Sequence, residues 1–273
     1  MKSLVEPPAS VARKTIHPTG DQVVIDVSEN LHLTIIISED ASAAVQIKLQ
    51  KNVSYCALEV FLEPRASLSC LLLQAEAGTD VHIIQRARLA DGARLHWQNA
   101  TFGGGNVSQD LQTELTGANA ESTVDWAFYA RGNDKYDLRV RNIYAGRDGG
   151  GEITMKGVAQ DKAHVRCDGM IEIGTKGTGT DAYLTEDVLM LDPTAKIDAI
   201  PGLEIKTNDV KASHSATVSR VTPEDLFYFA ARGIPRAEAR RMYVLGFLAS
   251  LFYDNAAESL QKILLERLAT QPT

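Results

Sequence analysis

From about Gln22 to Val221 the chain repeats one phrase, a short alternating or β-branched run followed by a polar or glycine turn, with almost no helical periodicity between. Runs such as LHLTIII (31–37), YCALEVFL (55–62), VHIIQRARL (81–89), STVDWAFYA (122–130) and AYLTEDVLML (182–191) carry the residue types that suit a pleated, half-buried surface. Several share an entry phrase in which a polar turn delivers a small residue into the alternation: EPRASLSC, DGARLHW, DKAHVRC, DPTAKIDA. Small residues at Ala66, Ala93, Ala163 and Ala195, with Thr79 and Val210 in comparable places, recur at steps of roughly 13 to 16 residues or twice that. This spacing suits the coils of a β-solenoid. The clear hairpin dipeptides between runs are Asp-Gly at 91–92 and 148–149, too few for a meander, so crossover turns are expected. The stretch 203–221 reads as one long run.

The pattern changes at Thr222. Thr222 stands as N-cap, Pro223 at the first helical position and Asp225 in the capping-box place, with Gly233 and then Pro235 past the end. A second helix follows Pro235, its apolar stripe predicted at Met242, Leu245, Leu248 and Phe252, and a third is predicted over AAESLQKILLERL (256–268) after a break at Asp254-Asn255. The organisation is therefore an N-terminal extension (1–21), a β-solenoid core (22–221) and a C-terminal helical domain (222–273). The helices are expected either to cap the bare end of the solenoid or to dock a partner. Residues 227–253 hold seven of the fifteen Phe and Tyr residues, more aromatic surface than one capping face needs.

Composition removes several function classes. With Lys+Arg 28 against Asp+Glu 35 the net charge is −7, and no basic patch offsets it, so nucleic acid is not an expected partner. No run approaches the roughly 18 apolar residues of a membrane span, and MKSLVEPPAS lacks the apolar centre of a secretory signal, so a cytoplasmic protein is expected. Cys56, Cys70 and Cys167 are odd in number and far apart without a CxxC, which argues against a disulfide framework or a self-contained iron–sulfur motif.

Candidate chemistry is sparse. Gly174–Thr180 (GTKGTGT) has Lys and Thr in the wrong order for a phosphate loop and lies between strands, so it reads as a turn; Gly149–Gly151 reads as a turn or loop likewise. His164 and Cys167 lie three apart in a strand, on opposite faces, and Cys167 is expected to fill the core. His214 shares a face with Ala212 and is either a metal ligand or a strand histidine hydrogen-bonded locally. The acids Asp181, Glu186, Asp187, Asp192 and Asp198 leave open a β-helix enzyme acting on carbohydrate, although most fall where turn residues bond their own backbone.

The stretch 180–248 is more specific. Pro201-x-Leu203-Glu204-Ile205, Asp209-Val210-Lys211, Ser213-His214, Ala216-Thr217, Leu226-Phe227-Tyr228 and Arg232-Gly233-Ile234 together resemble the C-terminal core of the SufB/SufD family of iron–sulfur cluster assembly scaffold proteins. The resemblance implies a mainly β chain, a right-handed parallel β-helix with a C-terminal α-helical segment, non-enzymatic, that pairs with itself or with a SufB/SufD-type sister subunit. It implies a SufC-like ABC ATPase docked through the helices, with Phe227, Tyr228, Arg232, Gly233, Ile234, Tyr243 and Phe247 as candidate contacts. It also makes His214 the leading metal- and cofactor-binding residue, toward a transient iron–sulfur cluster at the subunit interface. SufB-like members carry a cysteine upstream and a glutamate after the histidine; Ala195 and Ser215 stand here, so the chain resembles a short SufD-like form. Few thiolates are then on hand for a cluster held alone, and a structural partner that has lost cluster chemistry is the remaining alternative.

Overall fold

The computed structural model describes residues 3–6, 8, 11–75, 80–251 and 265. Strand makes up 59% of the described residues, wound into a β-solenoid of about 7 turns. The strands are β1 (Ala12–Ile16), β2 (Gly20–Val27), β3 (Leu31–Ile37), β4 (Ser42–Leu49), β5 (Tyr55–Leu62), β6 (Ser67–Gln74), β7 (Asp80–Leu89) and β8 (Arg94–Thr101). They continue with β9 (Asn106–Leu115), β10 (Glu121–Ala130), β11 (Lys135–Tyr144), β12 (Gly150–Ala159), β13 (His164–Ile173), β14 (Asp181–Met190), β15 (Lys196–Ile205) and β16 (Lys211–Arg220). Odd-numbered strands form one eight-stranded sheet and even-numbered strands the other. Every pairing is parallel, so each coil contributes one strand to each sheet.

Because neighbouring coils are in register, each inner position stacks on its equivalent about 4.8 Å away. One such column runs Val45, Cys70, Trp97, Val124, Ile153, Leu184, His214. Another runs Ile37, Leu62, Leu89, Leu115, Tyr144, Ile173, Ile205. The core is continuous from Val27 to Ala195, and Gly157 belongs to it because the Phe128 ring lies 2.0 Å from where a Cβ would stand.

The repeat seen in the sequence resolves into two corners. One places a left-handed residue at Asp40, Arg65, Gly92, Asn119, Asp148 and Gly179, each donating its backbone N–H to the next coil's turn. Ala66, Ala93 and Val210 follow this corner, whereas Ala163 and Ala195 follow the other; Thr79 lies outside the described residues. Both Asp-Gly pairs sit at the first corner, where they turn the chain into the second sheet instead of closing a hairpin. Several expectations are corrected. Gly150 and Gly151 begin β12, not a loop, because Gly151 (φ 145°) lets the Ser122 carbonyl of the neighbouring coil approach to 2.0 Å of a would-be Cβ. The run 203–221 is broken at 206–210 into the end of β15 and all of β16.

Helix α1 (Pro223–Ala230) begins as the sequence requires: Asp225 donates its backbone N–H to the Thr222 hydroxyl at 3.2 Å, and its carboxylate accepts from the Thr222 backbone at 2.8 Å. Helix α2 (Arg236–Ala249) does not cap the solenoid. It lies along the outside of the even-numbered sheet, where Val244, Leu248 and Leu251 bury Leu71, Leu73, Phe102, Tyr129, Val158 and Leu189. Its buried residues are Ala239, Val244 and Leu248, and Leu245 packs partly buried on the same flank; of the predicted stripe Leu245 and Leu248 therefore face the sheet, whereas Met242 is exposed. Small Ala239 lets the helix come close, and Arg240 reaches across to the Leu191 carbonyl at 2.8 Å. The third predicted helix and Phe252 lie outside the described residues, apart from Leu265, which is helical.

Candidate functional site

The last coil, β15 and β16, occupies the end of both sheets, and among the described residues nothing lies beyond it. Its inner positions hold the residues that would face a further coil: Ile197, Ala199, Pro201, Leu203 and Ile205 on β15, and Ala212, His214, Ala216 and Val218 on β16. The equivalents one coil inward, such as Val165, Ile171, Ile173 and Leu184, are fully buried, whereas Ile205 is 41% and Val218 47% exposed. His214 is exposed and tops an otherwise apolar column, directly above Leu184. The imidazole thus stands on a broad apolar cross-section bounded by two strand edges with unpaired backbone groups, an arrangement that monomers normally cover. Pro201 removes one donor from β15, as an edge position allows, and β16 offers the uninterrupted edge.

One coil beneath, Glu186 occupies an inner position between Met155 and Ala216 and is fully buried, with no side-chain partner for either oxygen and the Gly169 and Ile200 backbone amides facing it. Gly169 makes the room: a Cβ there would stand 2.8 Å from Oε1. Burial pushes the carboxyl up to about 7, aided by Asp168, while the Gly169 and Ile200 backbone amides pull the other way. Cys167 lies on the facing strand, and burial together with the Glu186 charge holds its thiol well above the usual range. Cys56 and Cys70 are likewise buried and free, Cys56 pushed up to about 12 by desolvation. All three thiols are neutral core fillers. Glu186 is the residue missed as a core group. Its signal was present, since alternation puts Ala182, Leu184, Glu186, Val188 and Met190 on one face.

The candidate docking residues separate into two sets. Phe227 and Tyr228 are 71% and 58% exposed, and the Arg232 guanidinium stacks 3.8 Å from the Tyr228 ring centroid, while Gly233 takes φ 75° to end the turn after α1. Ile234 is half-buried. Tyr243 and Phe247 instead pack against the flank beneath α2, with Lys156 Nζ 4.9 Å from the Phe247 ring centroid.

Other candidates do not assemble. Among the described residues no group of three or more His, Cys, Asp or Glu side chains could hold a metal ion. Asp192 pairs with Arg240 at 3.1 Å and Asp198 with His164 at 2.8 Å, so these acids brace the surface. Residues 174–180 form the turn between β13 and β14. A groove of about 630 Å³ crosses the odd-numbered sheet near His82, Lys135, Asp137 and Arg166, but Asp137 is paired with Arg139. No described helix is long and apolar enough to cross a membrane.

A family model described as SUF system FeS cluster assembly, SufBD core domain, matches residues 12–247, which takes in the whole solenoid and nearly all of α2. The chain belongs to the SufBD family. Among curated relatives, an iron-sulfur cluster assembly SufBD family protein of Mycobacterium tuberculosis is 29% identical over 230 residues, 81% of this chain and 58% of the relative. Iron-sulfur cluster assembly protein SufD of Bacillus subtilis is 31% identical over 173 residues, 63% of this chain and 40% of the relative. The SufBD chain thus spans less than two thirds of the length of these relatives.

Proposed function

We propose that this chain is a non-enzymatic scaffold subunit, SufD-like and cytoplasmic, that pairs with itself or a sister subunit through the open end of its solenoid and docks a SufC-like ABC ATPase through its helices. The observation that carries the reading is the contrast between the uncovered last coil, apolar and bearing His214, and the fully buried coil beneath it. A second solenoid end would cover Ile205 and Val218 and could satisfy the β16 edge. His214 then contributes an imidazole to a cluster in transit at the junction, where the second subunit supplies the remaining ligands. On the helices, Phe227, Tyr228 and the Arg232 stack form the exposed contact, with Gly233 and Ile234 shaping the turn, while Tyr243 and Phe247 support it from the flank. The divisions at 22 and 222 serve this reading as body and docking tail, with strand pairing already begun at Ala12.

Two variants test it together. Ile205→Glu with Val218→Glu is expected to abolish subunit pairing and leave ATPase capture intact; Phe227→Ala with Tyr228→Ala is expected to do the reverse. Capture of the ATPase unchanged by the helix variant, or pairing unchanged by the end variant, would overturn the corresponding half.

A further inference from the structure

The groove of about 630 Å³ on the odd-numbered sheet lies away from the open end of the stack and on the opposite sheet from α2. It crosses the first residues of β7, β9, β11 and β13, which run in register at steps of about 4.8 Å. Val81, Val107 and Tyr136 give it an apolar floor, and alternation places Asp80, Asn106 and Lys135 in one outward row. Most of the charge around it is taken up within the fold. Asp137 pairs with Arg139 at 2.6 Å, Arg166 with Asp168 at 2.6 Å and His164 with Asp198 at 2.8 Å. Two charges are left. Among the described residues neither Asp80 nor Lys135 has an ion-pair partner, and the Asp80 carboxylate accepts only the neutral side-chain amide of Asn106, at 2.6 Å. Asn106 stands in register between them, so the unlike charges rise from backbones two strand spacings, about 10 Å, apart.

An acid and a base held apart across an apolar floor complement a molecule with an ammonium at one end and a carboxylate at the other. The separation sets its length. Extended chain advances about 3.5 Å per residue, so a dipeptide holds its end charges about 7 Å apart, and the flexible lysine stem closes the difference. A single amino acid holds its two charges too close together to meet both. We propose that the groove binds a short zwitterionic peptide of dipeptide length, its ammonium on Asp80, its carboxylate on Lys135 and its apolar side chains on Val81, Val107 and Tyr136. The side-chain oxygen of Asn106, whose amide nitrogen is turned to Asp80, and the Ser108 hydroxyl serve the central peptide group. The volume and the apolar lining with a few placed polar groups are those of a small-molecule site. This site is independent of the proposed subunit junction.

The test is isothermal titration of the full chain with L-alanyl-L-leucine, its N-acetyl form, its C-terminal amide and free L-leucine. The wild type is expected to bind one dipeptide per chain and each of the other three at least tenfold more weakly. Asp80→Asn should remove the preference over the N-acetyl form and keep the preference over the amide; Lys135→Met should do the reverse. Both variants are read as a change of selectivity, which a general loss of folding does not imitate. Ser108→Trp, at a half-buried outward position, should obstruct the groove and abolish binding at an unchanged thermal midpoint. Val218→Glu, on the last coil, should match the wild type. No binding of the dipeptide by the wild type, or analogues within twofold of it, would overturn the proposal. So would wild-type selectivity in both charge variants, or a Ser108→Trp chain that still binds.

Discussion

The two ends of the solenoid are built differently. At the first end β1 is five residues long, carries Arg13 and Lys14, and places Lys14 in register with the inner position of Leu33, beside an eight-residue β2 whose Val23 and Ile25 pack on the core. β15 and β16 are ten residues each, and their inner positions are apolar apart from His214 and Arg220. A short, lysine-bearing edge resists further pairing, whereas a long edge beside an apolar face invites it. The difference lies in sequence, not in coil geometry, because both ends interrupt the same stack. The contrast supports the proposed reading of the C-terminal end as the junction.

The comparison can be broken in the interior first. Trp126→Ala, in the middle of a closed column, is expected to cost about 3–5 kcal/mol in urea unfolding, whereas Val218→Ala in the separate chain should cost less than about 1 kcal/mol. Equal costs would mean that the last coil is as closed as the others. On the covered flank, Leu248→Ala should cost about 2–4 kcal/mol and raise amide exchange in α2 before the strands. The pH dependence of Glu186 gives a smaller effect. Its folded-state value of about 7 lies above the ordinary 4.5, so the folded protein binds the extra proton between them. Its contribution is therefore fully present below about pH 4.5 and is lost as pH rises through 7. Relative to wild type, Glu186→Gln should gain stability on the order of 2 kcal/mol by pH 8 and remove that slope. Thr222→Ala, which breaks the capping box of α1, should cost about 1 kcal/mol and leave the solenoid untouched.

Much of this was legible because a parallel solenoid writes the same constraint into every coil. Runs such as 31–37 and 182–191 alternate cleanly, since one face meets the columns and the other water or a flank. β9 was harder to read because Gln109 and Thr113 occupy inner positions, where Gln109 bonds Gln85 at 2.8 Å and Thr113 accepts from Trp97 at 3.1 Å. β12 was obscured by its opening glycines, whose need appears only when the coil beneath is in place. His214 was visible through its motif, but its place at the top of an apolar column depends on the register of seven strands. Glu186 was grouped with the acids of a possible carbohydrate site, and its burial went unread because a carboxylate is seldom buried without a partner. The rotation of α2 was legible in part: Leu245 and Leu248 face the sheet as predicted, whereas Val244 in place of Met242 is chosen by contact with the flank of Leu71, Tyr129 and Leu189.

The most direct test is sedimentation velocity of the full chain, alone and mixed with a SufB-type subunit of the same organism, in wild type and in the Ile205→Glu, Val218→Glu double variant. The expected result is a paired species for wild type in at least one of the two samples, and a single-chain species for the variant in both, at an unchanged thermal midpoint. A wild type that stays single in both samples, or a variant that pairs as the wild type does, would contradict the assignment of the bare C-terminal coil as the junction.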